Sequence, residues 1–241
     1  MGKDLLPSIE AMTGDGLPAA VLHPPCGGAK ARGAKSSVRA GATHGVSMST
    51  SLSAELQELL DRQKIYHVLT SYCRALDRCD VELMKSVYWE DGYDDHGVFA
   101  GNAQEFAEFI IEGIQTWFEA TQHAICNIHM ELDGDVAHTE AYLIAYHKVS
   151  GARGKVGEWF GENYLKKFSV SISDDRAQDF LYGGRYFDRF EKRQGVWRIA
   201  KRTVIMDWNI NQPSTEIRSE GMFKTLKIVG HRDRHDQIYL R

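Results

Sequence analysis

The sequence predicts an α+β fold: three N-terminal helices packed on one strongly curved, mostly antiparallel sheet, a cone-shaped α+β barrel that encloses a pocket. The chain has 241 residues, of which 43% are hydrophobic and 26% charged, which is enough for one sizeable core. Apolar residues recur at three- and four-residue steps between residues 56 and 118 and alternate with polar residues from about residue 128 onward. In a chain whose helices precede its antiparallel strands, the helices cover one face of the sheet that the strands form. The concave interior of a bent sheet is the natural place for a small-molecule pocket.

The composition argues against several classes of protein. The 29 lysines and arginines against 33 aspartates and glutamates leave a formal net charge of −4, without the basic excess typical of nucleic-acid binding. No apolar run approaches the roughly 18 residues that a membrane-spanning helix needs. The four cysteines contain no C-x-x-C pair, which argues against a disulfide framework or a zinc cluster. We therefore expect a cytoplasmic protein with no nucleic-acid partner and no membrane partner.

Residues 1–50 differ from the rest of the chain. They hold four of the five prolines and eight of the 22 glycines, and they contain no phenylalanine, tyrosine or tryptophan. Such a segment cannot bury enough apolar surface to offset the entropy lost on ordering. We expect a disordered N-terminal extension, or alternatively a functional start of translation at Met48.

Three helices are expected at the start of the folded part. The first spans Leu56–Leu76, where apolar residues follow the helical period. A short second helix over Val81–Val87 has Asp80 as its N-cap. The third begins at Asn102, which forms a capping box with Glu105, and its apolar face continues to the end of the helix.

The strands follow the helices. A domain over residues 51–212 contains them, and a charged tail covers residues 213–241. Residues 150–180 interrupt the strands as a long loop insertion, and such loops often act as lids or binding loops. The alternation of polar and apolar residues predicts strands at residues 128–132, 136–149, 181–192 and 196–208.

Asp77 is the sharpest anomaly in the first helix. It lies four residues after Cys73 and eight after Leu69, so the helical period places it on the buried stripe. A buried carboxylate needs a partner, because otherwise its pKa rises until it is neutral. The alternative is that Asp77 ends the helix. Tyr72, five residues earlier, either presents its hydroxyl to the same cavity or is an ordinary core tyrosine.

His123 follows the third helix, where the first long strand begins. An imidazole near a buried carboxylate is the usual way to make a general base at neutral pH. Strict alternation, however, places His123 with Asn127 and His129 on the polar face of the strand. A bulge near Ala124-Ile125 would reverse this orientation.

Asp94 and His96 share one face of a probable short strand. Pocket lining or turn chemistry is the role we expect for them, because a catalytic zinc site usually takes three closely spaced ligands. We expect no metal. Trp89, Tyr93 and Phe99 are expected to form the apolar wall of the pocket.

Arg202 interrupts the apolar face of the last strand. A guanidinium there would hold a carboxylate or stabilise a developing oxyanion. The alternative is a buried ion pair, with Asp77 as one possible partner. No G-x-S-x-G, Walker or G-x-G-x-x-G motif is present to indicate hydrolase or nucleotide chemistry.

Together these motifs resemble the SnoaL-like branch of the nuclear-transport-factor-2-like superfamily over residues 52–210. Within it the chain is similar to the group of scytalone dehydratase, bile acid 7α-dehydratase and hexachlorocyclohexane dehydrochlorinase. The motifs that carry the resemblance are Arg74–Asp77, Asp94–Gly97, Thr121–His123, Gly184–Phe190 and Gly195–Ile199.

The resemblance implies a catalytic dyad. Asp77 and His123 occupy the places of the dyad in this group. Tyr72 stands where the bile acid dehydratase has its active-site tyrosine, and Arg202 stands where the dehydrochlorinase has an arginine. The long insertion and the tails depart from the smaller members of the group, which leaves the substrate open.

These observations lead to one hypothesis and two rivals. The hypothesis is a lyase without a cofactor, acting as a dehydratase or dehydrohalogenase on a small apolar cyclic, aromatic or steroid-like substrate. His123 takes the proton, Asp77 orients it, and Tyr72 and Arg202 stabilise the departing group. One rival is a non-catalytic ligand-binding or subunit-assembly module. The other is an isomerase or polyketide-cyclase-like enzyme that uses Asp77 alone. The family also leads us to expect a homo-oligomer, a dimer or a trimer.

Overall fold

A computed structural model describes residues 44–168 and 175–241 of the chain, with side chains from residue 53 onward except that of residue 153. Two short 3-10 turns, Gly221–Thr225 and Gln237–Tyr239, lie in the C-terminal tail. The helices and strands are, in chain order, α1 His44–Asp77, α2 Val81–Ser86, β1 Tyr88–Asp95, β2 Ala100–Asn102, α3 Ala103–Trp117, β3 Phe118–Asp133, β4 Val136–Val149, α4 Arg153–Phe160, α5 Glu162–Lys167, β5 Gln178–Arg193 and β6 Val196–Pro213.

The six strands form one curved sheet in the order β2-β1-β6-β5-β4-β3. The pairing of β1 with β6 is parallel, and the other four pairings are antiparallel. The predicted α+β class and the mostly antiparallel sheet are confirmed. The sheet is not closed into a barrel, however, because β2 and β3 stand at opposite ends of the strand order.

Local sequence signals account for the boundaries of the elements. The Asn102 side chain accepts hydrogen bonds from the backbone N–H groups of Gln104 and Glu105 and so begins α3. The Asp80 carboxylate accepts from the N–H of Leu83 and begins α2. Gln194 and Gly195 join β5 to β6 with positive φ angles of 53° and 80°, as a tight hairpin turn between twisted strands requires.

The first helix is longer than the sequence predicts. It begins at His44, so the expected domain boundary at residue 51 falls inside it. The remainder of the expected disordered extension, residues 1–43, lies outside the described residues.

The expected loop insertion at residues 150–180 contains two short helices, α4 and α5. Val156 and Leu165 form a small buried cluster with Tyr164. The Trp159 ring packs edge-on against Phe118, with ring centroids 4.8 Å apart, so the insertion contacts the main core. Residues 169–174, in the middle of the insertion, lie outside the described part.

The C-terminal tail packs against the domain near the end of α1. The Arg232 guanidinium donates to the backbone carbonyls of Ile114 and Phe118. The Arg78 guanidinium lies 3.7 Å from the Asp236 carboxylate. These contacts bring Ile238 close to α1 and β3.

No helix in the described ranges is long and apolar enough to span a membrane.

One buried carboxylate ties α1 to the β5–β6 hairpin. Asp61 accepts a hydrogen bond of 2.9 Å from the Trp197 indole N–H and one of 3.0 Å from the Lys192 ammonium. Burial acts to raise the pKa of Asp61, but these two donors outweigh it and leave the pKa below its ordinary value. The folded state therefore favours the ionised carboxylate.

Replacing Asp61 by alanine is expected to lower the free energy of unfolding by about 1–3 kcal/mol, because the buried indole N–H loses its acceptor. Asp135→Ala is the matched control: Asp135 pairs with the same lysine at 2.9 Å but is exposed, so its loss should cost at most about 1 kcal/mol. Urea unfolding followed by circular dichroism measures both.

Because the pKa of Asp61 is lowered on folding, its contribution to the free energy of unfolding is present above the unfolded pKa of about 4 and is lost as the pH falls through the folded pKa. Equal losses in the two variants would contradict this assignment.

Candidate active site

Asp77 is the last residue of α1, and its carboxylate is held against the first half of β3. One oxygen accepts from the Thr121 hydroxyl at 3.0 Å and lies 2.8 Å from Nδ1 of His123. The other oxygen accepts from the backbone N–H of His123 at 2.9 Å. The His123 side chain is 6% exposed and that of Asp77 13%. Asp77 and His123 therefore form a nearly buried pair at the end of the helix.

The carboxylate sets which nitrogen of the imidazole is available. An ionised carboxylate only accepts hydrogen bonds, so the proton between the two side chains is carried by Nδ1 of His123. The lone pair of Nε2 is then free in the neutral ring. This arrangement is that of a histidine general base oriented by an aspartate.

A β-bulge explains why His123 faces inward despite the alternation of β3. Ile125 pairs with Leu143 and Ile128 pairs with Ala141, so the two residues of β3 between these pairs oppose the single residue Tyr142 of β4. The additional residue reverses the alternation. His123 therefore shares the inner face with its partner Ala145, as Ile128 does with Ala141. The bulge lies after Ile125, slightly later than the position at which the sequence allowed for one.

A cavity of about 500 Å³ opens beside the pair, between α1 and β3. Its volume is within the range of roughly 300–1,000 Å³ found for small-molecule sites. We call this cavity the dyad cleft; its lining residues are Tyr66, Thr70, Cys73, Arg74, Asp77, Arg78, His123, Ile125 and Ile238.

Cys73 does not act as a thiolate in the dyad cleft. Burial raises the pKa of its thiol to about 12, and the positive charge of Arg202 only partly opposes that rise. The thiol is therefore protonated at neutral pH and unsuited to nucleophilic attack. It contributes an apolar wall.

His147 is a second imidazole behind the pair, which the sequence pattern did not single out. Its ring lies perpendicular to that of His123, with centroids 5.2 Å apart, and stacks on Phe180. Burial, and to a lesser extent the nearby His123, holds the pKa of His147 well below its ordinary value. His147 is therefore neutral. Its position on the inner face of β4, between Ala145 and Val149, was the signal that would have identified it.

Arg202 lies in the core and pairs with Asp188, and the possible ion pair with Asp77 is not formed. Its Nε and Nη2 each donate to the Asp188 carboxylate at 2.7 Å. The guanidinium is stacked between the rings of Tyr72 and Tyr186, each centroid 4.0 Å away. Nη1 is buried and has no hydrogen-bond partner among the described residues. Burial disfavours the charge, but the Asp188 carboxylate outweighs it and raises the pKa of Arg202 well above its ordinary value.

The buried Asp94 brings His96 and Tyr72 together. Asp94 accepts from the Tyr88 hydroxyl at 2.5 Å and lies 2.5 Å from Nδ1 of His96. Nε2 of His96 is 3.4 Å from the Tyr72 hydroxyl. We call Tyr72, Tyr88, Asp94, His96 and Arg202 the inner polar cluster. Phe106 stacks on His96, and Phe99 packs on Phe106.

None of the residues predicted for the pocket wall, Trp89, Tyr93 and Phe99, lines the dyad cleft, and neither do Tyr72, Asp94, His96 and Arg202. The Trp89 ring is covered by the Arg198 guanidinium at 4.9 Å. Tyr93 is 40% exposed and lies beside Lys201. Both are on the face of β1 opposite to Asp94, and neither lines the dyad cleft.

The described ranges contain no group of three or more histidine, cysteine, aspartate or glutamate side chains that could hold a metal ion. The paired carboxylates are also satisfied by protein donors.

The fold is similar to that of three solved structures, and each match covers nearly the whole of the other chain. LinA is 18% identical, with a TM-score of 0.52, and the match covers 68% of this chain and 95% of LinA. A hexachlorocyclohexane dehydrochlorinase, LinA type 2, is 16% identical with a TM-score of 0.54, covering 68% and 96%. LinA type 3 from Novosphingobium barchaimii LL02 is 17% identical with a TM-score of 0.52, covering 68% and 96%. At these identities the likeness shows the fold alone.

The sequence profile of one family matches the chain over residues 57–203, from the first half of α1 to the middle of β6. No curated protein matches. The profile spans more than half of the 241 residues and includes Asp77, His123 and Arg202. The chain therefore belongs to the family of SnoaL-like domains.

Proposed function

We propose that the protein is a lyase that works without a cofactor and removes water or a hydrogen halide from a small, largely apolar cyclic substrate. The observation that carries this proposal is the Asp77–His123 pair on the wall of the dyad cleft. Relatives of the same fold are named dehydrochlorinases, which makes elimination the first reaction to test. Aromatic and steroid-like compounds are the substrate classes we propose.

The elimination begins at Nε2 of His123. This nitrogen takes a proton from a carbon of the substrate, and the electron pair of that C–H bond forms a double bond to the neighbouring carbon. The leaving group departs with the electrons of its own bond. The imidazolium that forms faces the Asp77 carboxylate, which stabilises its positive charge. Thr121 and the backbone N–H of His123 prevent the carboxylate from rotating away.

We propose Tyr72 and Arg202 for the departing group on the family resemblance; both are fully buried and neither lines the dyad cleft, so the substrate has to reach into the core to meet them. A halide leaves as an anion, whereas a hydroxyl group must gain a proton to leave as water. The Tyr72 hydroxyl can donate a hydrogen bond to the departing oxygen, but burial raises its pKa and so makes full transfer of the proton harder. The unpaired Nη1 of Arg202 is a donor for a developing negative charge. Asp94 and His96 hold Tyr72 in place from the other side.

The geometry disfavours the rival in which Asp77 alone is the base. Both of its oxygens already accept hydrogen bonds, and its nearest titratable neighbour is His123. An incoming C–H group would have to displace one of these donors. We therefore assign the proton transfer to His123.

A homo-oligomer, either a dimer or a trimer, is also part of the proposal. Ile144, Gly183 and Trp208 are in register on β4, β5 and β6, and Ile144 and Trp208 are about half exposed. Tyr142 and Phe187 are exposed on the same face, beside the ion pairs of Arg185 with Glu140 and Asp207. Exposed apolar residues with charged neighbours are typical of a protein–protein interface. A cytoplasmic location stays a prediction.

His123→Ala is expected to lower kcat by roughly 10²–10⁴ because the general base is lost. The control is His129→Ala, on the same strand but with a side chain that is 71% exposed. Chloride release from hexachlorocyclohexane and loss of water from hydroxylated steroids, measured by mass spectrometry, report the reaction. Turnover of His123→Ala at the wild-type rate would refute the dyad.

Ile144→Asp is expected to reduce the mass of the particle in solution, because a charge would be buried in the proposed interface. Val98→Asp changes an apolar residue that is also exposed but lies away from the proposed interface, and it should leave the mass unchanged. Analytical ultracentrifugation at micromolar concentration measures both variants. A wild-type protein that sediments as a monomer would exclude the oligomer.

A further inference from the structure

The dyad cleft contains a cation that has no anionic partner among the described residues. Arg74 lies one turn before Asp77 on α1, and its side chain is half-buried in the cleft. Its guanidinium makes no hydrogen bond or ion pair with another side chain of the described residues, and its one ring contact is with Tyr239 at 5.3 Å. The two oxygens of Asp77, the nearest carboxylate on the helix, are occupied by β3. The five donors of Arg74 are therefore available to a ligand.

The second arginine of the cleft is already engaged. Arg78 donates to the backbone carbonyl of Asp77 at 3.0 Å and lies 3.7 Å from the Asp236 carboxylate. Arg78 directly follows the last residue of α1, and its backbone N–H donates to the carbonyl of Arg74, so the two arginines are four residues apart at a spacing where like charges repel each other. An anion bound at Arg74 would relieve this repulsion.

The rest of the lining has the opposite character. Ile125 and Ile238 contribute apolar surface, as does the ring of Tyr66. These side chains suit a hydrophobic ring system, whereas Arg74 offers a planar fork of donors that matches a carboxylate in a bidentate geometry. The lining of the cleft therefore combines apolar side chains, one cation and the His123 base.

From this arrangement we infer that the ligand of the dyad cleft is an amphiphilic carboxylic acid, whose ring system lies on Ile125 and Ile238 and whose carboxylate pairs with Arg74. The inference rests on the proposed function for the reaction itself, but it names a ligand class that can be tested by binding alone. Arg74 anchors the ligand and takes no part in the proton transfer.

The experiment compares matched ligand pairs by isothermal titration calorimetry with the full chain. The pairs are 1-naphthoate with 1-naphthalenemethanol, benzoate with benzyl alcohol, and cholate with cholic acid methyl ester. The proteins are the wild type, His123→Ala, Arg74→Ala, Arg74→Lys and Arg234→Ala. Arg234 is the matched control, since its guanidinium also lies over the Tyr239 ring, at 4.7 Å, but does not line the cleft.

We expect the wild type and His123→Ala to bind at least one carboxylate more tightly than its neutral counterpart. Arg74→Ala should weaken binding of that carboxylate roughly tenfold or more, with little effect on the neutral compound. Arg74→Lys should keep part of the preference, because it retains the charge and loses the bidentate geometry. Arg234→Ala should bind like the wild type.

Several results overturn the inference: no preference for any carboxylate in the wild type, an equal loss for the charged and neutral compounds in Arg74→Ala, or the same loss in Arg234→Ala. The outcome is separate from that of the proposed function. If the carboxylate preference is present and no elimination is found, the lyase proposal fails and the carboxylate site stands. If elimination depends on His123 and no carboxylate preference exists, the carboxylate site fails and the lyase proposal stands.

Discussion

The site depends on one interaction, the attachment of the Asp77 carboxylate to β3 through three hydrogen bonds. It joins the end of α1 to the strand, fixes the ring of His123 and forms the closed end of the dyad cleft. An unpaired carboxylate at this place would cost several kcal/mol, so the burial of Asp77 is possible only with its partners in position. The bulge in β3 is part of the same constraint, because without it His123 would face away from the helix.

A second set of buried charges stabilises the interior beside the dyad. Arg202 is paired with Asp188 and enclosed by two tyrosine rings, and Asp94 is shared by Tyr88 and His96. Buried charges of this kind are tolerated when nearly all of their hydrogen bonds are satisfied. Removing one member of a pair leaves the other as an uncompensated charge in the protein interior. Cys73 connects the two regions: it lines the dyad cleft, and the charges of both Arg202 and Asp77 act on its thiol.

Much of the fold follows from local signals in the sequence. Asn102 and Asp80 cap their helices as predicted, and the strand predicted at residues 136–149 has the bounds of β4. These features depend on neighbours in the chain. Neither the N-terminal part of α1, residues 44–55, nor the two helices of the insertion were predicted, because their apolar patterns are weak.

The geometry of the candidate active site could be predicted less well from the sequence than the fold. Asp77 and His123 could be paired by resemblance, but the orientation of His123 depends on a bulge whose position alternation does not reveal. The partner of Arg202 is set by the register between β5 and β6, which places Asp188 opposite it. His147 was missed although it alternates with the apolar residues Ala145 and Val149 of β4, and Arg74 was missed because its local pattern is that of an ordinary helix residue.

The tautomer of His123 tests the central claim most directly. Nitrogen-15 NMR of the imidazole in the neutral ring distinguishes a proton on Nδ1 from one on Nε2, and Asp77→Asn and the exposed His129 give the comparisons. We predict that the wild-type ring carries its proton on Nδ1, toward Asp77, with Nε2 free, and that the Asp77→Asn variant loses this preference. A His123 ring protonated on Nε2, or one that exchanges between both tautomers as His129 does, would contradict it.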